Sequence, residues 1–327
     1  DGQLYAFFVR SNVAHATIKK IDVSKALTCD GVAAIYTGDD IAADGVGGPI
    51  CGWTPTNRDG SAPKEPPHPL LAHSKVRYVG DHIAVVIAES LEQARSAAEK
   101  ITVDLDVLPP VVDLSTAIGN TQIHDEMDDN VYFDWELGDE SATASALDSA
   151  AKIVELTVTN NRVIPNAMEP RAAVAEYDET NESYTLYTTS QNPHLTRLVM
   201  AAFMMQIPES KLHVVAPDVG GGFGSKIYIY PEEAVCTWAT KKLRRPIKWT
   251  ADRSEAFLGD AHGRDHVTTA KMGFDSSGKI VGFKVDTLAN LGAYMSLFSS
   301  SVPTYLYAPL LSGQYNIDNI HCNVRAY

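Results

Sequence analysis

Residues 216–234 read APDVGGGFGSKIYIYPEEA, with four glycines and one phenylalanine in the five positions Gly220 to Gly224. Glycine costs roughly 0.5–1 kcal/mol relative to alanine inside regular structure. Four together mark a backbone that turns sharply or comes very close to something. An apolar run, KLHVVAP, precedes them and predicts a strand; Pro231 opens a predicted helix, PEEAVCTWATKKLRR. Strand, glycine loop and helix in succession present backbone N–H groups to an anion, usually a phosphate. Two specific versions fail on spacing. The dinucleotide fingerprint needs a third glycine where Ser225 stands, and no clean strand-helix-strand unit surrounds it. The NTPase phosphate loop needs a glycine five positions before a Gly-Lys pair, and here Lys226 follows Ser225. A purely structural glycine turn stays open beside them.

The 327 residues carry a formal charge of −14, which argues against nucleic acid as a main partner. No run of about 18 apolar residues is present, so no membrane span is expected, and no signal peptide is read. Cys29, Cys51, Cys236 and Cys322 are scattered without the close spacing of a zinc or iron–sulfur site. They read as free thiols in a reducing cytoplasm. The chain begins Asp1-Gly2-Gln3 and ends on a strand-like HCNVRAY, so a fragment of a longer protein is expected.

The fold class expected is α+β. Residues 1–112 read as one mixed α/β domain, with strands in LYAFFVRS, GVAAIYTGDDI and VRYVGDHIAVVIAES. A helix, LEQARSAAEK, is capped by Ser90 with Gln93 three residues on. Residues 113–130 are polar and acidic and read as a linker; 131–327 form a second domain. There Asn192 caps a helix with Pro193 at its first position, and the Met and aromatic stripe of PHLTRLVMAAFMMQ reads as core packing. A hairpin turns at Ser277-Gly278. The basic cluster Lys241, Lys242, Arg244, Arg245 and Lys248 closes a helix, where cations favour the negative dipole end. His262 and His266 have i, i+4 spacing, but Gly259 and Gly263 argue against a helix that would pair them on a metal. Asp81-His82 reads as a turn, and Glu169 with Arg171 as a structural ion pair.

Taken with SQNPH at 190–194, PDVGGGFGSK at 217–226 resembles the molybdenum-binding large subunit of the xanthine dehydrogenase and aldehyde oxidase family, nearest its aerobic carbon monoxide dehydrogenase branch. RSNVAHATIKKIDVSKAL, VRYVGDHIAVVIAES and VDLDVLPPVVDL resemble its hammerhead domain. AMEPRAAVAEYD, RRPIKWTADRSEAF and GKIVGFKVDTLANLGAY resemble the first part of its molybdopterin-binding domain. The resemblance implies a molybdenum–molybdopterin cofactor, expected in the cytosine dinucleotide form, with iron–sulfur clusters and FAD on small and medium partner subunits in a dimer of heterotrimers. It implies oxidation of a small substrate (carbon monoxide, an aldehyde or an N-heterocycle) with oxygen from water. It places Gln191, Gly221, Gly222, Phe223 and Gly224 against the cofactor, with no residue of this chain coordinating the metal directly. Gln191 could instead be a polar helix-flanking residue, and Phe223 a core plug.

The pattern departs from the family at two places. Xanthine dehydrogenases carry a purine-holding glutamate where this chain has Ile227, which argues against purine and makes Ile227 a substrate-pocket residue for something smaller or less polar. The catalytic base and the copper-bearing loop of carbon monoxide dehydrogenases are expected beyond Tyr327, so no catalytic residue is expected in this stretch, the stretch alone is expected to be inactive, and Cys322 is not at the copper position. Two other classes compete: a non-catalytic phosphate- or nucleotide-binding α/β module, and an assembly subunit from a split gene that touches the cofactor without doing chemistry.

Overall fold

The computed structural model describes residues 2–127 and 129–327. Residue 1, and residue 128 of the acidic 113–130 stretch, lie outside the described residues. The architecture is mixed helix and sheet, as expected. The chain forms two compact units, both discontinuous in sequence: Asp1–Ile50, Pro67–Pro110 and Ile164–Ala261 in the first, Cys51–Pro66, Val111–Val163 and His262–Tyr327 in the second.

The first unit is built on a seven-stranded mixed sheet. Its order is Leu212–Val215, Ser183–Thr188, Ala172–Asp178, Ile247–Thr250, Leu4–Arg10, His82–Ala88 and Val32–Thr37. The N-terminal strand joins the later ones through a parallel pairing, Leu4 with Ile247 and Tyr5 with Lys248. HIAVVIA is buried at all seven positions, which explains why it reads as a continuous apolar run rather than an alternation. The helix Leu91–Ala98 packs Ala94, Ala97 and Ala98 against Val86 and Ala88. Ile83 packs instead with Ala16 and Val76 of a small three-stranded sheet.

Helix Pro231–Leu243 is buried from Pro231 through Thr240, so it takes two carboxylates, Glu232 and Glu233, into the interior. A buried charge is tolerated only with partners, and Glu232 has three. Its Oε1 accepts from Arg10 Nη2 at 2.7 Å and Arg171 Nη2 at 3.1 Å and lies 2.9 Å from His82 Nε2; its Oε2 accepts from Arg171 Nη1 at 3.1 Å. Arg171 also donates to Asp260 at 2.6 Å and Arg10 to Glu255 at 3.2 Å. Burial opposes the Glu232 charge, but the two guanidiniums and His82 hold its carboxyl well below the usual range. Burial wins at His82, whose pKa is lowered, so its imidazole is read as neutral despite the nearby carboxylate.

The second unit is a five-stranded sheet ordered Phe133–Gly138, Ile320–Ala326, Ile280–Ala289, His266–Phe274 and Lys152–Asn160. Phe133, Trp135, Val285, Cys322 and Val324 form its core with Met127. The side chain of Asn130 donates to Ala117 O and Thr121 O and accepts from Ile123 N, closing the 117–130 loop on itself. The hairpin turns at Asp275–Lys279, as the Ser277-Gly278 signal predicts.

Local expectations fare unevenly. Ser90 caps its helix through Gln93 N. Asn192 makes no side-chain cap; Ser190 Oγ accepts from Asn192 N instead. Met200 and Met204 are fully buried, as a core stripe should be, but Phe203, the aromatic of the expected stripe, is 49% exposed, because the helix Pro193–Val199 widens into a π-helical turn, Met200–Met204, that shifts the periodicity. GVAAIYTGDDI does not stop at acidic turn residues: Thr37 and Asp40 form a capping box that starts a short helix, Gly38–Ala43. His266 lies in a strand, not a helix, so i, i+4 spacing from His262 has no meaning there. Asp81-His82 is no exposed turn; both side chains are buried. Lys242 and Arg244 of the basic cluster are paired with Asp44 and Glu179. All four cysteines are free.

Two expectations on stability follow. Glu232→Gln leaves two buried guanidiniums without their shared counter-charge and is expected to cost about 3–5 kcal/mol in denaturant unfolding; a loss below about 1 kcal/mol would show the network to be dispensable. Burial pushes the Asp81 carboxyl up to about 7 from 3.8, against an opposing hydrogen bond from Arg77 N. The folded state therefore binds this proton more tightly than the unfolded one, and the Asp81 contribution to stability falls as pH rises from about 4 to 7. Asp81→Asn is expected to gain stability relative to the parent across that window, measured as the difference in unfolding midpoint at pH 4 and pH 7; an equal difference at both would contradict it.

Candidate functional site

All the glycine-loop residues lie in the first unit. The strand Leu212–Val215 ends at the sheet edge, and the loop runs to a single 3-10 turn, Ser225–Ile227, before helix Pro231–Leu243 begins. The sequence pattern anticipated strand, loop and helix; the intervening turn alters its meaning. The helix N-terminus is filled by the chain's own carboxylates: Glu233 accepts from Tyr230 N at 3.1 Å and Glu232 binds the arginines. The structural ground for a phosphate site on that helix dipole is gone.

The loop itself is a tight backbone structure. Gly221 and Gly224 both have φ of +97°, and Phe223 between them has φ of +51°, a region side-chain-bearing residues rarely enter. Gly222 is required for another reason. A Cβ there would lie 2.2 Å from Gln191 Oε1 and 2.5 Å from its Cδ. The Gln191 amide occupies that space, with Oε1 accepting from Gly224 N at 3.0 Å. That bond fixes the amide's orientation by its partner, so Nε2 is the free end, and it has no partner in the chain among the described residues. Nor do the backbone N–H groups of Gly221, Gly222 and Phe223. Four donors thus lie unspent beside one another on loop and side chain.

Phe223 is 76% exposed, so it is not a core plug. Its ring lies against Gly221, where a Cβ would come within 3.0 Å of it. Ile227 is half-buried and enters the loop geometry through its N–H, 3.4 Å from Gly224 O. The structure therefore brings Gln191, Gly222 and Gly224 into one contact, sets Phe223 over Gly221, and places Ile227 at the end of the following turn.

Glu169 and Arg171 do not pair with each other. Arg171 turns inward to Glu232 and Asp260, its guanidinium 3.6 Å from the centre of the Tyr230 ring. Glu169 turns to the loop. Its Oε2 accepts from Gly220 N at 2.7 Å and Lys226 Nζ at 2.8 Å, and its N–H donates to Gly220 O. Burial opposes its charge, but Lys226 and the Gly220 N–H hold its carboxyl below the ordinary range. Tyr230 closes the loop's far end, its hydroxyl donating to Ser225 O and accepting from Ala261 N. Lys226 and Tyr230 were missed as site-forming residues; a lysine two positions past a glycine run, buried in a loop, carries no periodicity to reveal it.

In the second unit, ligand atoms of Glu136, Glu140 and His321 lie within 4.8 Å of one another. Arg58 Nη2 sits 2.9 Å from Glu136 and 3.0 Å from Glu140, so a guanidinium already occupies the position a metal ion would take. Among the described residues no helix is long and apolar enough to cross a membrane.

The family model for the molybdopterin cofactor-binding domain matches residues 123–327, and that for the aldehyde oxidase and xanthine dehydrogenase a/b hammerhead domain matches residues 1–109. The carbon monoxide dehydrogenase large chain of Hydrogenophaga pseudoflava is 34% identical over 345 residues, covering 99% of this chain and 41% of that one. The nicotine 6-hydroxylase large subunit of Paenarthrobacter nicotinovorans is 33% identical, covering 90% of this chain and 35% of that one. Among solved structures, quinoline 2-oxidoreductase from Pseudomonas putida 86 superposes with a TM-score of 0.92 at 32% identity, covering all of this chain and 41% of that one. The chain thus spans about two-fifths of the length of these relatives. With the cofactor-binding model covering more than half of its residues, the chain belongs to the molybdopterin-binding large subunits of the xanthine dehydrogenase and aldehyde oxidase family.

Proposed function

We propose that this chain supplies part of the molybdenum–molybdopterin site of an oxidoreductase that hydroxylates or oxidises a small substrate, with Gln191 and the Gly221–Gly224 loop on the cofactor. The single observation that carries it is the set of four unspent donors, Gln191 Nε2 and the N–H groups of Gly221, Gly222 and Phe223, at a place where glycine keeps the backbone open. A cofactor whose periphery is oxygen-rich and anionic needs donors of this kind, already oriented.

The cofactor, when bound, supplies two-electron oxidation with oxygen from water and passes the electrons on. The chain's own residues bind and orient. Gly224 N holds the Gln191 amide so that Nε2 points out as a donor. Gly221 and Gly224 allow the backbone turn, and Gly222 leaves room for the amide. Phe223 offers an exposed aromatic face beside the donors, suited to cover a flat ring or a substrate. Ile227, apolar where a purine-holding carboxylate would stand in xanthine dehydrogenases, leaves a pocket that favours carbon monoxide, an aldehyde or an N-heterocycle over purine. The cytosine dinucleotide form of the cofactor, iron–sulfur and FAD partner subunits, a dimer of heterotrimers, and a cytoplasmic location belong to this same reading. The regions proposed are a hammerhead-like part at 1–112, a linker at 113–130 and a cofactor-binding part at 131–327.

The test is elemental and cofactor analysis of the native complex that contains this chain, from molybdate-replete cells. Molybdenum and pterin in near-stoichiometric ratio to the chain are expected, with iron and flavin on its partners; a complex without molybdenum would overturn the proposal. Gly222→Ala then probes the site. It is expected to displace the Gln191 amide and lower activity by about tenfold or more, the loss of one oriented donor, with the thermal midpoint within a few degrees of the parent. Unchanged activity would remove Gln191 from the site.

A further inference from the structure

Lys226 has a buried side chain, 1% exposed, on a loop, and neither the cofactor reading nor the fold requires a cation there. Its contacts run in three directions. Nζ donates to Glu169 Oε2 and to Glu169 O, both at 2.8 Å. Its carbonyl accepts from Gln191 N at 2.8 Å. Glu169 in turn accepts from Gly220 N at 2.7 Å and returns a backbone bond to Gly220 O. The two ends of the glycine loop, Gly220 and Lys226, are therefore tied to one residue, and the second end is tied to the residue that presents the free amide. The 166–168 segment just before Glu169 is itself pinned on its other side, Arg253 donating to Asn166 Oδ1 at 2.6 Å and to Met168 O at 3.0 Å.

We propose that Glu169 and Lys226 are positioning residues: a charge-assisted latch that closes the glycine loop at its base and sets the height of Gln191 beside it. The physical ground is that glycine backbone is expensive to order, and this loop spends few bonds on itself. Ser225 N and Oγ to Gly222 O and Ile227 N to Gly224 O are its internal ties. Charge-assisted bonds, stronger than neutral ones, are placed where a flexible ring is closed by one residue at each end. Glycine at 220 belongs to the same device, because a Cβ there would lie 2.6 Å from Glu169 Cβ and push the carboxylate away. The latch touches neither metal nor substrate in this account; it acts through Gln191 and the loop N–H groups. It rests on the reading of that loop as the cofactor's cradle.

The test compares Lys226→Met, Glu169→Ala and Glu169→Gln with the parent in the full native complex, by amide hydrogen exchange and by molybdenum content per chain. Lys226→Met keeps the volume and the burial and removes the charge; Glu169→Gln keeps an acceptor. Exchange at Gly220, Gly224 and Gln191 is expected to quicken by about tenfold in Lys226→Met and Glu169→Ala, the loss of a charge-assisted bond, with a smaller effect in Glu169→Gln. The strand Ile247–Thr250 is expected to exchange at the parent's rate, and molybdenum content to fall several-fold. Exchange unchanged at those three amides overturns the latch, as does exchange that quickens evenly across the unit, which is a merely structural role. If the parent complex holds no molybdenum, the cofactor reading fails by itself, and the exchange rates still decide whether the loop is latched.

Discussion

The first unit depends on one buried carboxylate. Glu232 sits at the second position of helix Pro231–Leu243 with no exposure, and the strand ends that carry Arg10, His82 and Arg171 all converge on it. Taking a carboxylate and two guanidiniums out of water costs several kcal/mol per ion, and the mutual attraction repays it only when geometry and remaining hydrogen bonds are good. Here they are. Arg171 uses a fork of two N–H groups on Glu232 and a third on Asp260, and stacks on Tyr230. The consequence is specificity of register. Arg10 comes from the N-terminal strand, His82 from its antiparallel neighbour and Arg171 from just before the Ala172–Asp178 strand. A slip of any one by a residue would carry its side chain to the other face of the sheet.

That network also supports the glycine loop from behind. Arg171 holds Tyr230, whose hydroxyl binds Ser225 O, while two residues earlier Glu169 holds Gly220 and Lys226. The short stretch MEPR therefore faces two ways: its arginine serves the interior and its glutamate the loop. The buried charge network of the unit is thereby connected to the glycine loop through three residues of chain, the arrangement by which a loop with little regular structure of its own can hold donors in place.

Much of this was legible in the sequence, and the limits have physical causes. The sheet strands were visible as apolar runs, and Gly220–Gly224 announced a backbone constraint, because both signals are local. The resemblance implied that Gln191 and the loop glycines act together, and Gln191 does meet Gly222 and Gly224 in one contact. What was not legible depends on long-range pairing. Glu169 and Arg171 stand two apart and invite each other as partners, yet Glu169 lies in a bend ahead of the Ala172–Asp178 strand and turns to Gly220 and Lys226, while Arg171 turns inward to Glu232. Asp81-His82 looked like a polar turn because burial of a charge cannot be read from a charge. The helix after the glycine loop was seen, but not the intervening 3-10 turn, and that turn decides against a phosphate on its N-terminus. The interleaving of the two units was hidden for the same reason: Leu4 and Ile247 are partners across more than two hundred residues, and no window of sequence contains both.

The electrostatics of the loop narrow what kind of binding it can do. The chain carries −14 overall, a field unfavourable to an anion, but charges farther than about 10 Å are largely screened at physiological salt. Close by, the Lys226 charge is answered by Glu169 at 2.8 Å, and Arg253 spends its guanidinium on Asn166 Oδ1 and Met168 O. The Gly220–Gly224 stretch itself carries no charged side chain to offer an anionic group. It offers dipoles: three backbone N–H groups and one amide, fixed in direction by Gly224 and by the latch at the loop's base. Recognition by fixed dipoles discriminates by shape and acceptor position where a free lysine would attract any anion, because an ammonium is a mobile point charge and an oriented N–H is not. A site built this way can sit in an acidic chain without filling with inorganic phosphate.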